Sequence, residues 1–217
     1  MKKFEAVVFD MDGVIFDSEI CVKNIWREVA VSHGAKNFEE HYDKCLGVNI
    51  AKAKEIMLES FGADFPFDEC QNEVSKLYHE RYDGGRLPMK SGIRELLAYL
   101  KNNNIKIALA SSTRTEVVEN QLKDADIFSF FSAVIGGDKV KFSKPHPEIY
   151  LKACEELRVN PSEAYAIEDS YNGIRSAYAG KLRPIMVPDL LPPTEEITSL
   201  CETVEPNLMS VIEYLNK

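Results

Sequence analysis

Five short apolar runs, each stopped by an acid or a turn residue, constrain the fold of this chain more than any other feature. They cover residues 4–9 (FEAVVF), 105–110 (IKIALA), 133–135, 164–167 (AYAI) and 184–187 (PIMV). Runs without polar alternation are what a parallel strand covered on both faces requires. Between the later runs lie stretches of helical periodicity, over residues 92–102, 115–125, 147–157 and 172–179. Strand and helix alternate from about residue 89 onward. That pattern predicts an α/β chain with a doubly wound, Rossmann-like parallel sheet.

The alternation fails over residues 17–86, which carry helical patterns and no convincing strand. Asp17-Ser18-Glu19 has the character of a helix start, followed by Val22, Ile25, Trp26, Val29 and Ala30 at helical spacing. Further helices are predicted around residues 50–61 and 68–82, the second ended by Gly84-Gly85 with Pro88 beyond it. The expected organisation is therefore a core of residues 1–16 and 87–217 with an inserted helical cap domain of residues 17–86. The two crossings, near residues 16–17 and 85–89, are the candidate hinges.

Composition narrows the function. A formal net charge of −9 over 217 residues argues against nucleic acid as partner, because a phosphate backbone needs a clustered cationic face. It leaves room for a small phosphorylated metabolite, since one metal ion and a lysine make a positive pocket inside an acidic protein. The five cysteines are widely and irregularly spaced and contain no C-x-x-C pair, so neither a zinc site nor a disulfide framework is expected. No apolar run approaches the ~20 residues that a membrane helix needs. The chain is expected to be cytoplasmic, without a membrane partner, as a monomer or weak homodimer.

Four segments carry residues suited to chemistry. Asp10 and Asp12, in Phe9-Asp10-Met11-Asp12-Gly13, close the first apolar run. Ligand sites of open parallel sheets lie outside the carboxyl ends of the strands, so two acids there are placed for metal or phosphate chemistry. Ser111 and Ser112 follow the IKIALA run, Lys144 lies in Ser143-Lys144-Pro145, and Glu168-Asp169 follow AYAI. Taken singly each has a plain structural meaning: a turn at Asp12-Gly13, a helix cap at Ser111 to Arg114, a solvated lysine, and acids favoured at a helix N-terminus. Their occurrence in order, three of them at the ends of predicted strands, makes coincidence a poor account.

In those motifs the chain resembles the haloacid dehalogenase superfamily, in the branch of phosphoglycolate-phosphatase-like enzymes and β-phosphoglucomutase. The resemblance spans essentially the whole chain and sets the helical insert in the position of that branch's cap. It implies Mg²⁺ as cofactor and a small phosphorylated metabolite, such as a sugar phosphate, as substrate. It also implies a strand order with the first strand between those bearing Ser111 and Asp169. Carried over residue by residue, Asp10 resembles the nucleophile that becomes an aspartyl-phosphate, and Asp12 the general acid/base, whose main-chain carbonyl also reaches the metal. Asp169 resembles the other direct metal ligand and Glu168 its neighbour holding metal-bound water. Ser111, Ser112 and Lys144 match the phosphate cradle. In the cap, Glu19, Leu46, Asn49 and Lys52 are candidates for substrate contact.

An Asp at position 12 separates phosphate-ester chemistry from the dehalogenases and phosphonatases, which typically lack it. β-Phosphoglucomutase is the alternative: its Ala-Leu-Ala-Ser motif resembles residues 108–111, but Val22 and Ile50 stand where an ungapped alignment puts its cap histidine and arginine. A response-receiver-like phosphoacceptor module is a third possibility, disfavoured by the insert and by the acid/base Asp beside Asp10. His33, His41, His79 and His146 have no metal-ligand spacing and are expected on the surface or partly packed. Trp26 and the aromatic run Phe128, Phe130 and Phe131 are expected at core or helix-packing positions, with Trp26 able to face a pocket.

Overall fold

The computed structural model describes residues 4–46, 48 and 50–217. It divides into two compact units, one of residues up to Asp17 with Pro88–Lys217, the other Ser18–Leu87. The first holds a six-stranded parallel sheet of β1 (Ala6–Phe9), β2 (Lys106–Ala110), β3 (Ala133–Ile135), β4 (Ala164–Glu168), β5 (Arg183–Met186) and β6 (Thr203–Val204), in the order β3-β2-β1-β4-β5-β6. β1 is therefore central, and the register sets Phe9 opposite both Leu109 and Ile167. Asp10, Ala110 and Glu168 consequently emerge side by side at the carboxyl ends of three adjacent strands.

All four residues of β1 are buried, as a strand covered on both faces must be. Ala6, Val8, Ala108, Ala110, Ala164 and Ala166 share one face in a single core cluster with Ile149, Tyr150, Ala153 and Leu157. The short alanine side chains let the helix bearing Tyr150 lie close on the sheet.

Helices complete the unit. They are α5 (Ile93–Asn102), α6 (Thr115–Asp124), α7 (Glu148–Leu157), α8 (Tyr171–Ala179), α9 (Glu195–Leu200) and α10 (Leu208–Leu215), preceded in the chain by the helices of the second unit. α7 packs on β1, β2 and β3, α8 on β4 and β5, and α10 on α5. The doubly wound sheet expected from the sequence is thus the one observed. β6, α9 and α10 lie beyond the last apolar run that the sequence offered.

The second unit is helical: α1 (Ser18–Ser32), α2 (Phe38–Tyr42), α3 (Ile50–Phe61) and α4 (Phe67–Tyr82). Its own core gathers Ile25, Val29, Phe38, Met57, Phe67 and Cys70. Trp26 stacks on Phe67 with ring centroids 5.4 Å apart and lines a cavity of about 320 Å³ with Val22, Tyr42, Met57 and Tyr78. The aromatic run takes helix-packing positions, beside α5 and α6. Phe128 and Phe130 are half-buried with the ammonium groups of Lys123 and Lys101 over their rings, and Phe131 meets Phe9 edge-on. All five cysteines are free thiols. No helix among the described residues is long and apolar enough to cross a membrane.

Candidate active site

β1 ends at Phe9, and Asp10 continues its ladder by donating its N–H to Ile167 O at 3.0 Å. The chain then turns sharply. The N–H groups of Ile15 and Phe16 return to Met11 O, and Gly13 adopts a φ of +74° that a side chain would strain. A Cβ at Gly13 would collide with the Asp169 carboxylate, so this glycine is also what lets the first loop and the end of β4 approach.

Oxygens of Asp10, Glu168 and Asp169 lie within 4.8 Å of one another, the only such group of acids, histidines or cysteines among the described residues. Asp10 is 8% exposed and Glu168 wholly buried. Lys144 reaches into the cluster with its side chain 7% exposed, and its ammonium donates to Asp10 Oδ1 at 2.5 Å, Glu168 Oε1 at 2.7 Å and Ala110 O at 3.0 Å. Its three protons are thereby used. The solvated-surface meaning of this lysine is overturned. Burial tends to lower Lys144, but Asp10 and Glu168 outweigh it and hold the ammonium above its ordinary range. Asp10 is pushed up to about 8, first by burial and then by Glu168 and Asp12, against the lowering by Lys144.

Glu168 is bonded on every side. Oε1 accepts from Lys144 and from the Tyr150 hydroxyl at 2.6 Å, while Oε2 accepts from Ser170 Oγ at 2.9 Å and Ser170 N at 3.2 Å. Ser170 also caps α8 by accepting from Gly173 N at 3.1 Å. Gly173 has no side chain because a Cβ there would overlap the Glu168 carboxylate. Burial pushes the Tyr150 phenol well above its ordinary range, so it acts as a donor. Neither Tyr150 nor Gly173 was singled out as a site residue by the sequence. Tyr150 falls at a core position of a helical pattern, and its hydroxyl is the only sequence signal that could have marked it.

Ser111 is 1% exposed at the end of β2, donates its N–H to Ile135 O and accepts from Thr113 N at 3.1 Å, whereas Ser112 is exposed. Asp12 and Asp169 are half-buried, and Asp12 is near enough to Asp10 to raise it. Glu19, Leu46 and Lys52 belong to the helical unit. Glu19 lies in the first turn of α1, Leu46 packs against that unit's own core, and Lys52 is exposed and bonded to Glu55 at 2.7 Å. Asn49 lies outside the described residues. The histidines have other neighbours: His33 pairs with Glu73, His79 with Asp83, His41 packs on Phe61 and His146 on Phe142.

A central strand ending in a buried acid, with a buried lysine and two further acids beside it, defines an α/β protein with a candidate site at the carboxyl ends of its middle strands. The family described as haloacid dehalogenase-like hydrolase matches residues 7–187, and the chain belongs to it. A phosphorylated carbohydrates phosphatase of Thermotoga maritima is 34% identical over 183 residues, covering 83% of each chain. Two solved structures are similar at 27% identity. One is CbbY of Rhodobacter sphaeroides in complex with phosphate, with a TM-score of 0.73 over 96% of both chains. The other is a β-phosphoglucomutase of Clostridium difficile, with a TM-score of 0.69 over 98% of this chain and 96% of that one. The protein is a phosphohydrolase of the superfamily, in the branch that holds phosphatases and β-phosphoglucomutases.

Proposed function

We propose that this protein is a Mg²⁺-dependent phosphatase of a small phosphorylated carbohydrate, acting through an aspartyl-phosphate on Asp10, with residues 17–86 as its cap. The observation that carries the reading is the buried Asp10 carboxylate at the end of the central strand, in contact with Lys144 and within reach of Asp169 and Glu168. The substrate class is supported by the likeness to the phosphatase of phosphorylated carbohydrates.

The donor set fits a hard divalent cation, being carboxylate oxygens with no thiolate or imidazole among them. Asp10 and Asp169, with the main-chain carbonyl of Asp12, would hold it, while Glu168, its four acceptor positions filled, contributes charge from behind. When bound, the ion offsets the repulsion between a carboxylate and a phosphate dianion.

The chain's own groups supply the rest. Lys144, Ser111 and the backbone near Ser112 cradle the phosphoryl oxygens. An Asp10 oxygen forms a bond to phosphorus as the bond from phosphorus to the leaving sugar oxygen breaks, and that oxygen takes the proton of Asp12. Water then gives a proton back to Asp12 and attacks phosphorus. The bond to Asp10 breaks, and inorganic phosphate leaves.

Asp10→Asn keeps the side-chain shape and removes the nucleophile, so phosphate release from sugar phosphates should vanish while the circular dichroism spectrum is retained. Turnover at the wild-type rate would refute the mechanism. The likeness to a β-phosphoglucomutase favours one second reading, phosphoryl transfer between positions of a sugar. Product analysis separates the two: a phosphatase accumulates inorganic phosphate and free sugar, a mutase an isomeric sugar phosphate.

A further inference from the structure

Tyr150 has the largest of the fully buried side chains, in the first turns of α7 against the alanine face of the sheet. Packing alone explains its ring but not its hydroxyl. A phenylalanine would fill the same volume with no polar atom to satisfy, whereas a buried hydroxyl is unfavourable unless bonded. Here the hydroxyl is spent on Glu168 Oε1 at 2.6 Å, the same oxygen that accepts from Lys144. The ring of Tyr150 also lies under that lysine, with Nζ 5.1 Å from its centroid. One residue thus holds both members of the Glu168–Lys144 pair, by separate interactions.

The geometry of the ammonium shows what this accomplishes. Lys144 is shared between two carboxylates, with the shorter contact to Asp10 at 2.5 Å and the longer to Glu168 at 2.7 Å. With the Tyr150 hydroxyl donating to it, Glu168 Oε1 is partly satisfied and competes less strongly for the lysine. Without that donor, Glu168 draws Lys144 away from Asp10, and the cation loses its aim at the group being transferred. We infer that Tyr150 is a positioning residue for phosphoryl binding and transfer, fixing Lys144 against Asp10 through Glu168 without touching substrate itself. The inference rests on the reading of Lys144 as a phosphate-binding cation.

The test uses the full chain with Mg²⁺ present and inorganic phosphate as the probe, its affinity measured by titration calorimetry, beside kcat and KM for a sugar phosphate. Tyr150→Phe keeps the ring under Lys144 and removes only the donor. It should weaken phosphate binding and lower kcat/KM by about tenfold, the scale of one hydrogen bond to a charged group, with binding stoichiometry unchanged. Tyr150→Leu removes the ring as well and should weaken phosphate binding further. If Tyr150 only packs, Tyr150→Phe will bind phosphate as tightly as wild type whatever its melting temperature, and that result overturns the inference. Should the leucine variant fail to fold, the phenylalanine variant decides alone. Failure of the wild-type protein to bind phosphate would overturn the inference together with the phosphatase reading, whereas wild-type binding with an unaffected Tyr150→Phe overturns the inference only.

Discussion

At Gly13 two requirements coincide on one residue. Its φ of +74° costs an L side chain about 1 kcal/mol or more, and the space a Cβ would occupy is taken by the Asp169 carboxylate. Gly13→Ala should therefore displace Asp169 from Asp10, weakening Mg²⁺ binding and lowering kcat at least tenfold. Calorimetric titration of the metal checks the first and steady-state assay the second; wild-type Mg²⁺ affinity in this variant would count against Asp169 as a ligand. The acids themselves were legible in the sequence, because an acid closing an apolar run is an acid at a strand end, and strand ends are where such sheets place ligands. Lys144 was legible only through its family motif, since nothing local distinguishes it from a surface lysine. Tyr150 was not legible as part of this cluster, because it acts through Glu168, a contact between α7 and β4 that no local pattern encodes.

At the level of elements, the sheet was readable because each of its first five strands is a separate apolar run, and the parallel pairing follows from the helices between them. β6 has only two residues, both half-buried, and offers no run to detect. α2 spans five residues, too short for a helical period to declare itself. Equally hidden was the way the chain is fastened where it leaves and re-enters the sheet unit. Asp17 donates its N–H to Pro88 O, and the Lys90 ammonium bridges Asp17 Oδ1 at 2.9 Å and Asp189 Oδ1 at 2.7 Å. Asp189 follows β5 with its side chain 9% exposed, and its second oxygen is buried without a hydrogen-bond partner in the structure. Removing the lysine leaves that carboxylate buried without its cation. Lys90→Met should destabilise the chain by about 3 kcal/mol, the usual cost of breaking one side of a buried pair. Urea unfolding measures it, and a change below ~0.5 kcal/mol would show that Asp189 reaches solvent when its partner is lost.

For the molecule as a whole, the site concentrates negative charge. Oxygens of Asp10, Glu168 and Asp169 gather there with Asp12 near enough to raise Asp10, and Lys144 pairs with Asp10 and Glu168. The sign of the pH dependence follows from Asp10. Burial, then Glu168 and Asp12, lift its carboxyl from an ordinary 3.8 to about 8, so between those limits the folded chain binds a proton more tightly than the unfolded chain does. The contribution of Asp10 to stability then falls as pH rises through that window, since there the native state holds the extra proton. A divalent cation bound to ionised Asp10 and Asp169 opposes the loss, and at a hundred times its dissociation constant it contributes about 2.7 kcal/mol. The rise in melting temperature on adding Mg²⁺ should consequently be small near pH 5 and grow toward pH 8, and a chelator should abolish it. Asp10→Asn removes the titrating group and one ligand together, so its melting temperature should fall less over the same pH range and respond little to Mg²⁺. Thermal melts of both proteins at several pH values, with and without the metal, provide the measurement. An Asp10→Asn protein that gains as much from Mg²⁺ as the wild type would place the ion elsewhere than on Asp10.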